Sequence, residues 1–303
     1  MEPPVAVDML DFIKNNHVYY GFVCNDAGGA SDLVSLINNE VKSKPSFSLA
    51  TGPATKIVSH SKISVGVPIA RNMLEQNLKK TDLLITSTGW MTNLEKDAVS
   101  LANSMSVPTL SVIDHWVNYR ERFGPKNTDL PMHIAVNNLV AFDFCKRIFP
   151  QINISIFMDH QLEYYRRYLA SRPPVSNKCI LVVLDAMTKV SFTRLEPLLQ
   201  DFLKLLERIS KNMNLKLLFR LHPAQKLIDN IDLTSVLNHF KTHEISHNTL
   251  EQDLHRAEIV VGIDSKVLYY SSELNLPTFY ASYNSDGSWL KSFTRIQKLE
   301  VLL

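Results

Sequence analysis

Apolar residues along this chain fall into short continuous runs that alternate with longer stretches in which they recur every three or four positions. The first pattern predicts buried parallel strands and the second amphipathic helices. Residues 18–24 (VYYGFVC) predict a first strand, which breaks at the turn 25–30 (NDAGGA). A helix is expected over 31–41, with Leu33, Leu36, Ile37 and Val41 on one face. Strands follow at 47–50, 82–86, 107–113, 133–136 and 152–157, and helices at 69–80, 93–105, 138–149 and 159–170; residues 56–67 carry no clear period.

After the stretch SRPPVSN at 171–177, two prolines with polar flanks and no periodicity, the alternation restarts. Strands are expected at 179–184 (CILVVL), 215–221 (LKLLFRL) and, weakly, 241–245. Helices are expected at 192–213, 225–239 and 249–256. The stretch 258–279 (EIVVGIDSKVLYYSSELNLPTF) reads as a βαβ crossover. Its apolar run is a strand, Gly262 turns the chain, Asp264 and Ser265 cap a helix to about residue 274, and Pro277 precedes a last strand. Residues 287–299 predict a closing helix. Repeated βα alternation on both sides of a Pro-Pro linker predicts an α/β protein of two doubly wound, Rossmann-like domains with an interdomain cleft. These are 1–170 and 178–303, joined by 171–177. Ligands of such sheets bind beyond the strands' carboxyl ends.

Composition narrows the classes. The chain has 303 residues, 45% hydrophobic and 20% charged, with a formal net charge of +2 that argues neither for a nucleic-acid binder nor for an acidic tail, so no nucleic-acid partner is expected. Three cysteines without metal-ligand spacing, Cys24, Cys145 and Cys179, read as buried free thiols in a reducing compartment. The first residues lack a basic region ahead of their apolar part, and no apolar run is long enough for a transmembrane helix, so a cytoplasmic location is expected.

Polar residues gather at the expected strand ends. Asp26 could serve as a general base, or simply cap the following helix. Gly28 and Gly29 would allow a ligand close to the backbone at a helix N-terminus, although GxGxxG is not satisfied. Asp114-His115 could form an acid/base unit. Trp116 could stack on a sugar or base, and Arg120 and Arg122 could hold a carboxylate or phosphate; the plainer alternative is a packed Trp with surface arginines. Ser87, Thr88 and Asp185 read as turn and cap residues. His222-Pro223 ends its strand, and His222 together with Asp264 and Ser265 makes a candidate phosphate site.

These residues carry a resemblance to GT-B fold glycosyltransferases. The C-terminal half resembles bacterial sialyl- and polysialyltransferases with a His-Pro motif and CDP-glycerol-type polymerases of surface-polysaccharide synthesis. The motif here is Arg220-Leu221-His222-Pro223. Its companion is Gly262, Ser265 and Leu268, followed by Leu274 and Pro277. The resemblance implies that His222 and Ser265 contact the donor phosphates and that the turn after the first strand faces the acceptor. At the position two beyond Leu268, where a Glu often holds the donor ribose, this chain has Tyr270. The expected function is metal-independent, cofactor-free glycosyl transfer from a nucleotide sugar to a sugar or lipid-linked glycan. A nucleotide-sugar 2-epimerase of the same fold and a non-catalytic nucleotide- or sugar-binding protein are the alternatives, and a homodimer is left open.

Overall fold

The computed structural model describes residues 9–61, 66–89, 92–124, 129–184, 189–221, 243–263, 265–281 and 289–302. The chain divides into two compact units, Met1–Gln161 and Leu162–Leu303.

The first unit is built on a seven-stranded, wholly parallel sheet. Its strands are β1 (Tyr20–Cys24), β2 (Phe47–Ala50), β3 (Val67–Pro68), β4 (Leu83–Thr86), β5 (Thr109–Ile113), β6 (His133–Val136) and β7 (Asn153–Ile156), in the order β3-β2-β1-β4-β5-β6-β7. The described helices are α1 (Met9–Asn15), α2 (Ala27–Asn39), α3 (Ala54–His60), α4 (Leu74–Leu78), α5 (Leu94–Ser104) and α6 (Leu139–Ile148). Strand alternation sorts the side chains. Tyr20, Phe22 and Cys24 of β1, with Leu83 and Ile85 of β4, pack on Leu33, Leu36 and Ile37 of α2. Val23 and Leu84 point the other way and pack on Leu74 and Leu78 of α4 and on Leu94, Ala98 and Ala102 of α5. The helices that follow β1 and β4 therefore leave on opposite faces. Between these two neighbouring strands the winding reverses, which opens a crevice at their carboxyl ends.

The second unit carries α7 (His160–Ala170), whose residues from Leu162 onward belong to it, and a six-stranded parallel sheet. Its strands are β8 (Cys179–Val183), β9 (Lys216–Arg220), β10 (His243–Ile245), β11 (Ala257–Gly262), β12 (Thr278–Tyr280) and β13 (Ile296–Lys298), ordered β10-β9-β8-β11-β12-β13. With them come the helices α8 (Lys189–Met213), α9 (Leu250–Arg256) and α10 (Lys266–Glu273). Phe202, Leu203, Leu206 and Ile209 of α8, spaced for one helical face, cover Ile180, Val182, Leu217, Phe219, Ile259 and Val261. Here the winding reverses between β8 and β11. The fold is the expected one, two doubly wound α/β domains.

Local differences have physical reasons. The predicted closing helix is instead a short turn at Trp289–Ser292 followed by β13. Leu290, Phe293 and Ile296 have helical spacing, but Ile296–Lys298 pairs with Thr278–Tyr280 and extends the sheet. The helix expected at 69–80 shrinks to a turn over Arg71–Met73 and α4. Helix α2 starts at Ala27, four residues before the expected start, and absorbs both glycines of the turn. The helix at 160–170, counted from sequence with the first domain, makes its contacts from Leu162 onward with the second unit. There Tyr165 stands edge-on to Tyr270 at 5.3 Å, and the Tyr164 hydroxyl donates to Glu251 Oε1 at 3.1 Å. Residues 225–239 lie outside the described residues.

Candidate functional site

Four loops meet at the carboxyl edge of the first sheet. β1 delivers Asn25 and Asp26, β4 delivers Ser87, Thr88 and Gly89, β5 delivers Asp114, and β6 delivers Asn137 and Asn138. Asp26 occupies the N-cap position of α2 with extended backbone (φ −83°, ψ 145°), yet its side chain makes no capping hydrogen bond. Its Oδ1 accepts from Asn25 Nδ2 at 3.2 Å, and its Oδ2 lies 2.8 Å from where a Cβ on Gly89 would stand. The carboxylate is thus turned across the crevice toward β4, and Gly89 is the residue that leaves it room.

Beneath it lies a residue that the sequence reading passed over. Glu95, the second residue of α5, is 2% exposed. Its Oε1 accepts from the Asn25 N–H at 2.9 Å and from the Ser87 hydroxyl at 3.1 Å. Burial pushes this carboxyl above the ordinary glutamate range. Hydrogen bonds from its own backbone, from Asn25 and from Ser87 pull it back, while the nearby Asp26 charge pushes it up. The signal for it was present in the sequence. Leu94, Glu95, Ala98, Val99 and Ala102 form the buried stripe of α5, and a Glu within such a stripe has to be hydrogen-bonded.

Gly28 and Gly29 do not line an open cradle. A Cβ on Gly28 would meet Asp114 Oδ2 at 2.5 Å, and one on Gly29 would meet Ser87 Cβ at 2.9 Å. The glycines let the first turn of α2 close against the ends of β4 and β5 on their Cβ side.

The loop after β5 is braced from within. Arg122, expected to hold an anionic ligand, is 4% exposed, and its guanidinium is occupied by protein acceptors. Nη1 donates to Thr88 O at 2.7 Å, to Thr88 Oγ1 at 3.1 Å and to Asp114 Oδ1 at 2.9 Å, and Nε donates to Val117 O at 3.0 Å. Trp116, expected to stack on a ligand, is also 4% exposed and donates its indole N–H to Asn138 Oδ1 at 3.1 Å. That Asn138 oxygen caps α6 as well, through Ala141 N–H at 2.9 Å. His115 Nδ1 accepts from the Trp116 N–H at 3.0 Å, so in the neutral ring the proton sits on Nε2. Both His115 and Asp114 are half-buried, and Arg120 is exposed. A sequence rich in aromatic and basic residues has here become a packed, cross-tied loop with Asp114 held at its base.

At the second sheet's reversal, Gly262 ends β11. A Cβ there would collide with the Val183 side chain and stand 2.6 Å from Val183 O, so only glycine lets β8 and β11 run this close. Ser265 caps α10, its Oγ accepting from Val267 N–H at 3.3 Å. Ser265 stands between the carboxyl end of β11 and the first N–H groups of α10, an arrangement suited to anionic oxygens. His222 and Asp264 lie outside the described residues. Arg220, in the same His-Pro motif, donates to Asn248 O at 2.9 Å and pairs at 2.8 Å with the buried Asp253, which also accepts from Ser246 and Asn248. Tyr270, at the position where the resembled family often has a ribose-binding Glu, is buried in a cluster with Tyr165 and Tyr269, and Lys266 Nζ lies over its ring at 5.4 Å.

No protein-family model matches the chain, and no curated protein sequence matches it. Solved structures do. The chain is similar to the UDP-GlcNAc 2-epimerase of Methanocaldococcus jannaschii at 13% identity, with a TM-score of 0.62 over 94% of this chain and 90% of that one. It is similar to the Neisseria meningitidis UDP-GlcNAc 2-epimerase, solved bound to UDP-GlcNAc, at 11% identity with a TM-score of 0.59, covering 94% and 89%. It is similar to Acinetobacter baumannii MurG at 9% identity with a TM-score of 0.53, covering 94% and 88%. At these identities the likeness is one of fold, and the chain has the two-domain architecture of GT-B-type proteins.

Proposed function

We propose that this chain is an enzyme acting on a nucleotide-activated sugar. The observation that carries the reading is Asp26. This carboxylate sits at the reversal point of a doubly wound sheet, leaves its helix uncapped and turns across the crevice toward Gly89. A residue that capped α2 for stability alone would spend its oxygens on the α2 N–H groups. In this reading Asp26 is the general base of the first unit, with Asp114, held by Arg122, as a second carboxylate on the same edge. The N-terminus of α10 with Ser265 receives the donor phosphates on the second unit, joined by His222 and Asp264, which lie outside the described residues. Helix N–H groups, a serine hydroxyl and an imidazole meet the charge that develops on a leaving nucleotide.

The finer reading is glycosyl transfer. Asp26 deprotonates the hydroxyl of a sugar or lipid-linked glycan acceptor in surface-polysaccharide or glycoconjugate assembly, as the resemblance to His-Pro-motif transferases suggests. A second reading, 2-epimerisation of the sugar, is favoured by the likeness to UDP-GlcNAc 2-epimerases, in which Asp26 or Asp114 would exchange a proton on the sugar ring itself.

Melting-temperature shifts with CMP, CDP, UDP and GDP identify the nucleotide, since a ligand held by the folded state raises the melting temperature. The matching nucleotide sugar, UDP-GlcNAc first, is then incubated with and without acceptor oligosaccharides and followed by proton NMR. Nucleotide release that depends on acceptor supports transfer; inversion at C2 without acceptor supports epimerisation. Binding without turnover of any donor and acceptor pair, or turnover unchanged in Asp26→Asn, sinks the assignment of Asp26 as base.

A further inference from the structure

The two carboxyls at the end of β1 and the start of α5 do not sit near one another by accident of packing. Glu95 Oε1 ties the peptide N–H of Asn25, the residue just before Asp26, to the Ser87 hydroxyl at the end of β4. Its other oxygen, Oε2, is buried and has no hydrogen-bond partner among the described residues. Gly89 stands between the two side chains. The Cβ it lacks would lie 2.8 Å from Asp26 Oδ2 and 3.4 Å from Glu95 Oε1, so a side chain at this position would come between them. An ionised Glu95 would leave a buried charge near a second carboxylate with no cation among the groups that move it, whereas a protonated one removes that charge.

We propose that Glu95 is the positioning residue of Asp26, locking the Asn25 peptide to the end of β4 and setting the ionisation of Asp26 across Gly89. The proposal rests on Asp26 being the general base assigned above. Among the described residues, the titratable groups that face Glu95 are Asp26 at the start of α2 and Cys24 on β1; the latter is a buried thiol pushed up to about 12, mainly by burial and in part by Glu95, and so stays neutral. None of the groups that move Glu95 is a cation. The Asp26 charge is one of the causes that push the Glu95 carboxyl up, so the two carboxyls are electrostatically coupled. Burial favours the protonated form of Glu95, which leaves the charge to the half-buried Asp26, where a base has to carry it.

The test labels Asp and Glu side-chain carboxyl carbons with 13C in the full-length protein and follows Glu95 and Asp26 by NMR from pH 4 to 10 in the wild type, Glu95→Gln, Glu95→Ala and Asp26→Asn. Gln offers the same acceptor to Asn25 and Ser87 and cannot ionise, so it keeps the fold if Ala does not. The expected result is a Glu95 carboxyl that titrates above its ordinary value of about 4.3. It moves back down in Asp26→Asn, and the Asp26 resonance shows a second step in the wild type that Glu95→Gln lacks. With UDP-GlcNAc as substrate, Glu95→Ala lowers kcat by about tenfold or more with KM within about threefold, the signature of a misplaced base rather than lost binding. Glu95→Gln retains more of kcat than Glu95→Ala and loses one ionisation from the pH profile. An ordinary Glu95 titration, or one that Asp26→Asn leaves in place, overturns the proposal even if Asp26→Asn abolishes turnover. Turnover unchanged in Asp26→Asn instead overturns the parent reading, and with it any catalytic meaning of the pair.

Discussion

Replacing Arg122 by Met decides whether this arginine braces the fold or binds a ligand. The substitution keeps most of the apolar stem and removes the guanidinium. It strips a partner from two carbonyls, Thr88 O and Val117 O, and from the carboxylate of Asp114, whose side chain is only 14% exposed. An orphaned buried acceptor costs about 1–3 kcal/mol, and breaking a buried ion pair from one side about 3–5 kcal/mol. These costs overlap, because they arise from one collapsed network, and a net loss of about 3–5 kcal/mol is expected. In a unit of this size each kcal/mol lowers the melting temperature by roughly 2–4 °C, so Arg122→Met should melt about 10 °C below the wild type. Arg122→Lys restores the charge but not the fork, and should recover about half the loss. Asp114→Asn combined with Arg122→Met should cost less than the two single changes summed, by at least about 1 kcal/mol, because the double variant leaves no unpaired charge. The assay is thermal and urea unfolding alongside UDP binding by calorimetry. A melting temperature within about 2 °C of the wild type, together with lost UDP affinity, would refute the bracing role and restore Arg122 as a ligand residue.

Three further outcomes follow from the same contacts. The folded-state pKa of Glu95 is raised above its unfolded value, so the proton it holds favours the folded state below the ordinary glutamate range, and that advantage is lost as pH climbs through the raised value. The melting temperature of Glu95→Gln should therefore rise relative to that of the wild type as pH increases, and a difference that stays constant from pH 5 to 9 contradicts the assignment. Gly262→Ala drives a methyl against Val183 O and should cost about 1–3 kcal/mol or more and weaken the nucleotide binding proposed for the α10 N-terminus; an unperturbed melt and unchanged affinity would show that β8 and β11 can part without consequence. Burial raises the thiols of Cys24 and Cys145 to about 12 and that of Cys179 to about 11, so native protein should react with iodoacetamide at pH 8 far more slowly than urea-unfolded protein, as followed by mass spectrometry. Fast labelling in the native state would mean that these sites open locally.

Much of the architecture could be read directly. Strand and helix periods are local properties of a few neighbouring residues, and they located β2, β6, β12 and the β11–α10–β12 crossover at or near their observed bounds. Two short features misled the reading for the same reason. A three-residue strand at Ile296–Lys298 and a helix whose first turn includes Gly28 and Gly29 both depend on what they pack against, and local preference is too weak to specify either.

The candidate site divides along the same line. That Asp26, Asp114 and Ser265 stand at carboxyl ends of parallel strands follows from where their strands stop, which the sequence states. Which strand ends are neighbours follows from strand order, and that is settled only by the fold. The order β3-β2-β1-β4-β5-β6-β7 brings Asn25 and Glu95, seventy residues apart, within one hydrogen bond, and Arg122 within reach of Thr88, thirty-four residues away. No periodicity records such pairs. They exist because a buried carboxyl and a buried guanidinium must each find partners, and the nearest partners belong to loops that only the folded sheet brings together.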